Sequence, residues 1–127
     1  MKIENIRFKA KRLDNGEWVC GYFYEENGNT YIIENLQKES QLNRNLTYQV
    51  DPETVCQFTG LSDCVGRDIW EHDLIHLAGF NYAAEVIWSE GYYAFMVVCE
   101  NKHSYCLHSV IKDCKIERIG NKFDKEK

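Results

Sequence analysis

The sequence predicts a mainly β chain: an N-terminal antiparallel meander over residues 1–50 and a second small β lobe over 51–127. Residues 51–70 form an anchored segment that packs the first lobe on the second. Three observations predict this. Short runs such as Ile6-Arg7-Phe8-Lys9-Ala10-Lys11 alternate apolar and polar side chains, the period of a half-buried strand. Asn-Gly pairs separate those runs in the first third, and they are the strongest short hairpin signal because both positions tolerate positive φ. The second half holds five short strand-like runs with a single-turn segment before the last, the layout of an SH3-like small barrel. Such a fold does not select a function.

In the first run, Ile6, Phe8 and Ala10 are expected to face the core and Arg7, Lys9 and Lys11 to face out, where cations discourage edge-to-edge pairing. Asn15-Gly16 turns the chain into Trp18-Val19-Cys20-Gly21-Tyr22-Phe23-Tyr24, and Asn27-Gly28 turns it again into Thr30-Tyr31-Ile32-Ile33. Residues 34–49 are polar, with Leu36 and Leu42 as weak anchors, and read as irregular. Pro52, the single proline, biases Asp51 toward extended geometry. Val55, Phe58, Leu61, Ile69 and Trp70 anchor the segment that follows. Asp63-Cys64-Val65-Gly66 has the pattern of a type I turn.

The second lobe begins with a strand at Leu74–Leu77 and a turn at Ala78–Asn81. Runs at Tyr82–Trp88 and Tyr92–Val98 are joined by Ser89-Glu90-Gly91. Asn101-Lys102 turns into Ser104–Leu107. His108–Asp113 is too short for an ordinary α-helix and fits one 3₁₀ turn. A last strand at Lys115–Ile119 is stopped by Gly120-Asn121, and residues 122–127 form a charged tail.

A chain of 127 residues that is 44% hydrophobic and 13% aromatic has the material for a core, which excludes intrinsic disorder. No run approaches the roughly 18 apolar residues of a membrane span, and the first residues lack the apolar core of an export signal. A cytoplasmic location is therefore expected, with no membrane partner and with Cys20, Cys56, Cys64, Cys99, Cys106 and Cys114 as reduced thiols. Charge is uneven. Residues 1–13 carry five cations against Glu4, residues 112–127 six against four anions, and the stretch between them four against fifteen. The acidic middle argues against nucleic acid, which needs a basic footprint. Arg7, Lys9, Lys11 and Arg12 are the candidate basic strip if that second reading, a nucleic-acid-associated regulator, holds.

The chemistry-bearing clusters favour no enzyme. His72 and His76 stand four apart, but along a strand that separates them by about 13 Å, too far for one metal. His103, Cys106, His108 and Cys114 are a compact set of ligand types, yet strand alternation turns His103 away from Cys106 and His108. No Cys–His pair lies in a nucleophile motif, and Asp68, Glu71 and Asp73 read as solvated turn residues and caps. No catalytic residue, metal or cofactor is expected. Aromatics are in surplus. Trp18, Tyr22, Tyr24, Tyr92 and Tyr93 are the candidate binding surface for a second copy or an unidentified protein, whereas Trp70 and Trp88 read as core.

The stretch Pro52-Glu53-Thr54-Val55-Cys56-Gln57-Phe58-Thr59-Gly60-Leu61, followed by Asp63, Gly66, Ile69-Trp70-Glu71 and Asp73, resembles the YopX-like family of phage and prophage proteins. Arg7–Ala10, Trp18-Val19, Gly21-Tyr22, Val86–Trp88, Gly91, Phe95 and Ile119–Asn121 extend the likeness over nearly the whole chain. The resemblance implies a C-terminal SH3-like barrel, a bacterial or phage origin and self-assembly. It implies no activity. Cys56 and His72 stand where such sequences more often carry glycine, and positive φ at either would cost about 1–2 kcal/mol.

Overall fold

The computed structural model describes residues 3–34, 46–78, 83–99 and 103–124. The chain divides into two compact units, one up to Phe58 and one from Thr59 onward. Both are built of antiparallel sheet, and neither sheet closes into a barrel.

In the first unit a 3₁₀ turn at Ile3–Asn5 leads into β1 (Phe8–Lys11), β2 (Trp18–Glu26), β3 (Asn29–Ile33), β4 (Thr47–Val50) and the start of β5 (Cys56–Ser62). Neighbours run in the order β4-β3-β2-β1-β5. The expected three-stranded meander is thus present and larger, because β4 and β5 lie on its two sides. The core is Ala10, Val19, Ile32 and Val50, with Phe8, Tyr48 and Val55 packed against them. Ile6, expected in this core, is 37% exposed, since the ladder with β2 begins only at Phe8. A single bridge from Arg12 to Val50 touches β4 without growing into a ladder, which leaves the sheet open.

The two Asn-Gly pairs make different turns. Asn27 and Gly28 both take positive φ, at 54° and 82°, and close a two-residue hairpin between Glu26 and Asn29. At the first pair only Gly16 is positive, and the loop is wider: Arg12 N–H donates to Glu17 O and Glu17 N–H to Asn15 Oδ1. Gly21 is required for another reason. A Cβ there would lie 2.0 Å from Ile33 O.

Residues 51–70, expected as an anchored linker, form a 3₁₀ turn at Pro52–Thr54, strand β5 and strand β6 (Asp68–Trp70). Asp51 caps the 3₁₀ turn by accepting from Glu53 N–H, and Thr54 Oγ1 accepts from Lys11 N–H at 2.9 Å. The turn at Asp63–Gly66 closes as expected, with Gly66 N–H donating to Asp63 O.

In the second unit the end of β5 is followed by β6, and a five-stranded sheet runs β10-β9-β8-β7-β11. Its strands are β7 (Asp73–Leu77), β8 (Ala83–Ser89), β9 (Ala94–Val98), β10 (Ser104–Cys106) and β11 (Ile116–Asn121). Ile69, Ile75, Leu77, Val86, Val97 and Ile116 fill the core beneath a helix, α1 (Leu107–Asp113). The helix replaces the expected 3₁₀ turn. Its physical reason is spacing: Leu107, Val110, Ile111 and Cys114 recur at i, i+3, i+4 and i+7 and all pack on the core. Tyr92 and Tyr93, expected in a strand, lie in the loop between Ser89 and Ala94. The turns expected at 78–81 and 101–102, and Leu36, Leu42 and Tyr82, fall wholly or largely outside the described residues.

Candidate interaction surface

Arg7, Lys9 and Lys11 alternate onto one side of β1, and the register sets Lys9 opposite Cys20 and Lys11 opposite Trp18. Their charges do not project into open solvent. Lys9 Nζ lies 4.4 Å and Lys11 Nζ 5.4 Å from the Trp18 ring centre, and Arg7 Cζ lies 4.1 Å from that of Phe58. Lys9 is only 8% exposed. This corrects its expected outward display: on this face β5 sets the buried Cys56 directly opposite Lys9, so the stem is covered while the ammonium rests on a π-face. Arg12 lies on the other side of the strand, with Cζ 4.2 Å from the Tyr48 ring centre. Its guanidinium forks onto Asp14 at 2.9 and 2.6 Å, and those hydrogen bonds hold the Asp14 carboxyl below its usual range. All four cations of the strip thus face a ring of their own unit.

The candidate aromatics fall in two places. Trp18, Tyr22 and Tyr24 alternate along one face of β2 in the first unit. Trp18 is half-buried between the lysines, while Tyr22 and Tyr24 are exposed. Tyr24 stacks on Tyr31, its cross-strand partner, with ring centres 5.1 Å apart. On the opposite face Phe23 meets Phe8 edge-on at 4.7 Å and is 42% exposed. Tyr92 and Tyr93 sit on the β8–β9 loop of the second unit, 73% and 76% exposed, with Tyr93 at φ +53°. Trp70 is buried as expected. Trp88 is not: it is 39% exposed at the end of β8, its ring edge-on to Phe95.

The second unit holds a carboxylate network. Asp73, expected to be solvated, is fully buried: its Oδ2 accepts from Trp70 N–H at 2.7 Å and Arg118 Nε at 2.9 Å, and its Oδ1 from Asn121 Nδ2 at 2.8 Å. Asp63 accepts from the N–H groups of Val65, Arg67 and Arg118 and from Arg67 Nε. Burial pushes its carboxyl up, but the Arg118, Arg67 and Val65 amides and the Arg67 guanidinium together hold it below the usual carboxylate range. These groups tie the β5–β6 turn and the start of β7 to β11.

His72 takes φ +70°, as its glycine-like position implies, whereas Cys56 is an ordinary buried strand residue. His72 Nδ1 lies 2.9 Å from Glu85 Oε2 and its ring meets Phe123 edge-on. His76 is exposed on β7. Cys106 and Cys114 bracket α1, His108 is exposed on it, and His103 precedes β10. Among the described residues no three His, Cys, Asp or Glu side chains converge as a metal site, all six cysteines are free, and no helix is long and apolar enough to cross a membrane.

What the sequence concealed is the exposed Phe23 between the two exposed tyrosines. It shares a face of β2 with the buried Val19 and Gly21, but the ladder with β1 ends at Gly21 and Phe23 lies beyond it. A family model described as YopX protein matches residues 7–126. No curated protein and no solved structure matches the chain.

Proposed function

The chain belongs to the YopX protein family, and from that premise we propose that it is a non-catalytic binding module of phage or prophage origin that assembles with itself in the cytoplasm. The observation that carries this is the exposed run Tyr22-Phe23-Tyr24 on β2, 38%, 42% and 37% exposed. Large rings left in water lose the burial free energy a partner would return, roughly 25 cal/mol per Å² of apolar surface, and aromatics mark the centres of subunit contacts. The fold reading that goes with it is an SH3-like second unit. Its support is a ladder in which the last strand lies beside the first and a short helix precedes that last strand.

Neutral recognition suits the basic strip better than phosphate binding does, because its cations already rest on rings. Sedimentation velocity of the full chain over a micromolar concentration series tests the self-assembling role. A mass above one chain that falls on dilution is expected. A monomer at every concentration overturns it.

A further inference from the structure

We propose that Tyr22–Glu26 is a pairing edge for a second copy of this chain, which adds to it antiparallel with Tyr24 on the two-fold axis. This rests on the self-assembling role above and names its surface and register.

β2 has nine residues and β1 four. β1 covers one edge of β2 from Trp18, opposite Lys11, to Gly21, opposite Phe8. From Tyr22 onward that edge has no partner among the described residues, while the other edge is laddered to β3 from Tyr22–Ile33 to Glu26–Asn29. All five residues are exposed. Of the usual means of blunting an edge, Pro, Lys, Arg and bulges are absent from the segment, and its only charges are Glu25 and Glu26 at its end.

The hairpin turn decides which backbone groups are free. A two-residue turn with both central φ positive makes Glu26–Asn29 a hydrogen-bonded pair. Alternation along the antiparallel ladder then makes Tyr24–Tyr31 and Tyr22–Ile33 hydrogen-bonded pairs as well. The N–H and C=O of Phe23 and of Glu25 therefore point away from β3, onto the uncovered edge.

A second copy presents the same four groups, and a single antiparallel register satisfies them all. Phe23 pairs with the partner's Glu25 and Glu25 with the partner's Phe23, which sets Tyr24 against the partner's Tyr24 and makes the contact isologous. Centring on Phe23 instead would set Glu25 against the partner's Gly21, whose edge β1 already occupies. Centring on Glu25 would set like charges directly opposite, and parallel pairing would do so for both Glu25 and Glu26. In the Tyr24-centred register each glutamate meets a ring-bearing residue.

Sedimentation and thiol linkage of four full-length proteins, the wild type and three variants, test this. The wild type is expected to be a reversible dimer. Glu25→Pro removes an outward N–H on each copy at a position where an edge tolerates proline, and is expected to weaken dimerisation roughly ten- to thirtyfold with an unchanged circular dichroism spectrum. Tyr24→Cys places two thiols on the axis, where facing Cα atoms stand about 4.5 Å apart, within disulfide reach. Diamide, which takes up the two electrons and two protons, is expected to link Tyr24→Cys into a species of twice the chain mass. It is expected to leave wild type and Tyr22→Cys unlinked. A monomeric wild type overturns both this edge and the self-assembling role. A dimer that survives Glu25→Pro, without linkage of Tyr24→Cys, overturns the edge alone. Should Glu25→Pro lose its fold, the linkage of Tyr24→Cys decides.

Discussion

His72 holds a left-handed backbone that a non-glycine residue enters at a cost of about 1–2 kcal/mol. It is held there from three sides: its N–H donates to Val86 O, its C=O accepts from Lys122 N–H, and its ring pairs with Glu85. His72→Gly relieves the backbone and loses the side-chain pair, so its stability in urea unfolding should stay within about 1 kcal/mol of wild type. His72→Val keeps the strain, adds a β-branch and loses the pair, and should cost more than about 2 kcal/mol. Asp63 gives a pH signature. Its folded carboxyl titrates below its unfolded value, so the unfolded chain takes up the proton first as pH falls. The stabilisation is complete above the unfolded value of about 3.9 and is lost as pH drops through the folded one. Thermal unfolding of the wild type should therefore fall steeply below about pH 4. Asp63→Asn, which turns a donor toward amide donors, should be weaker by about 2 kcal/mol at neutral pH and flatter in that acid window. The low-pH proton of Asp63 was not legible in the sequence, since the Arg118 amide that helps depress it comes from 55 residues away.

At the scale of elements, α1 shows where a local rule was overridden. Seven residues are too few for a stable isolated helix. Burial of Leu107, Val110 and Ile111 on the sheet core holds the helix together instead. Leu107→Ala should cost roughly 2–5 kcal/mol in chemical denaturation, and His108→Ala on the exposed side no more than about 0.5 kcal/mol. The hairpins were the most legible elements, because Asn27-Gly28 carries its own conformational demand. β4 was the least legible: Thr47-Tyr48-Gln49-Val50 has one buried residue and is a strand because β3 lies beside it. Gly21 belongs here too. With Ile33 O in the place of a Cβ, Gly21→Ala should destabilise the first unit by about 3 kcal/mol or more, read by the same unfolding curves.

Over the whole molecule, each unit buries a core of its own, and the acidic excess of the middle residues leaves no broad basic footprint. Full-length protein titrated with labelled duplex or single-stranded DNA at low salt should give no binding that weakens with salt. A steep salt dependence abolished by neutralising Lys9 and Lys11 would restore the nucleic-acid reading. By itself, the sequence determined the β class, the hairpin turns, the likeness to a family and the surplus of aromatics, because period-two alternation, Asn-Gly chemistry and composition are local. The tertiary structure alone decided that the basic strip lies on rings, that Asp73 is buried, and that β2 outruns β1 to leave Phe23 and its neighbours uncovered. Those outcomes depend on which strands meet and how long each is, and no residue carries that information about a partner far away in the chain.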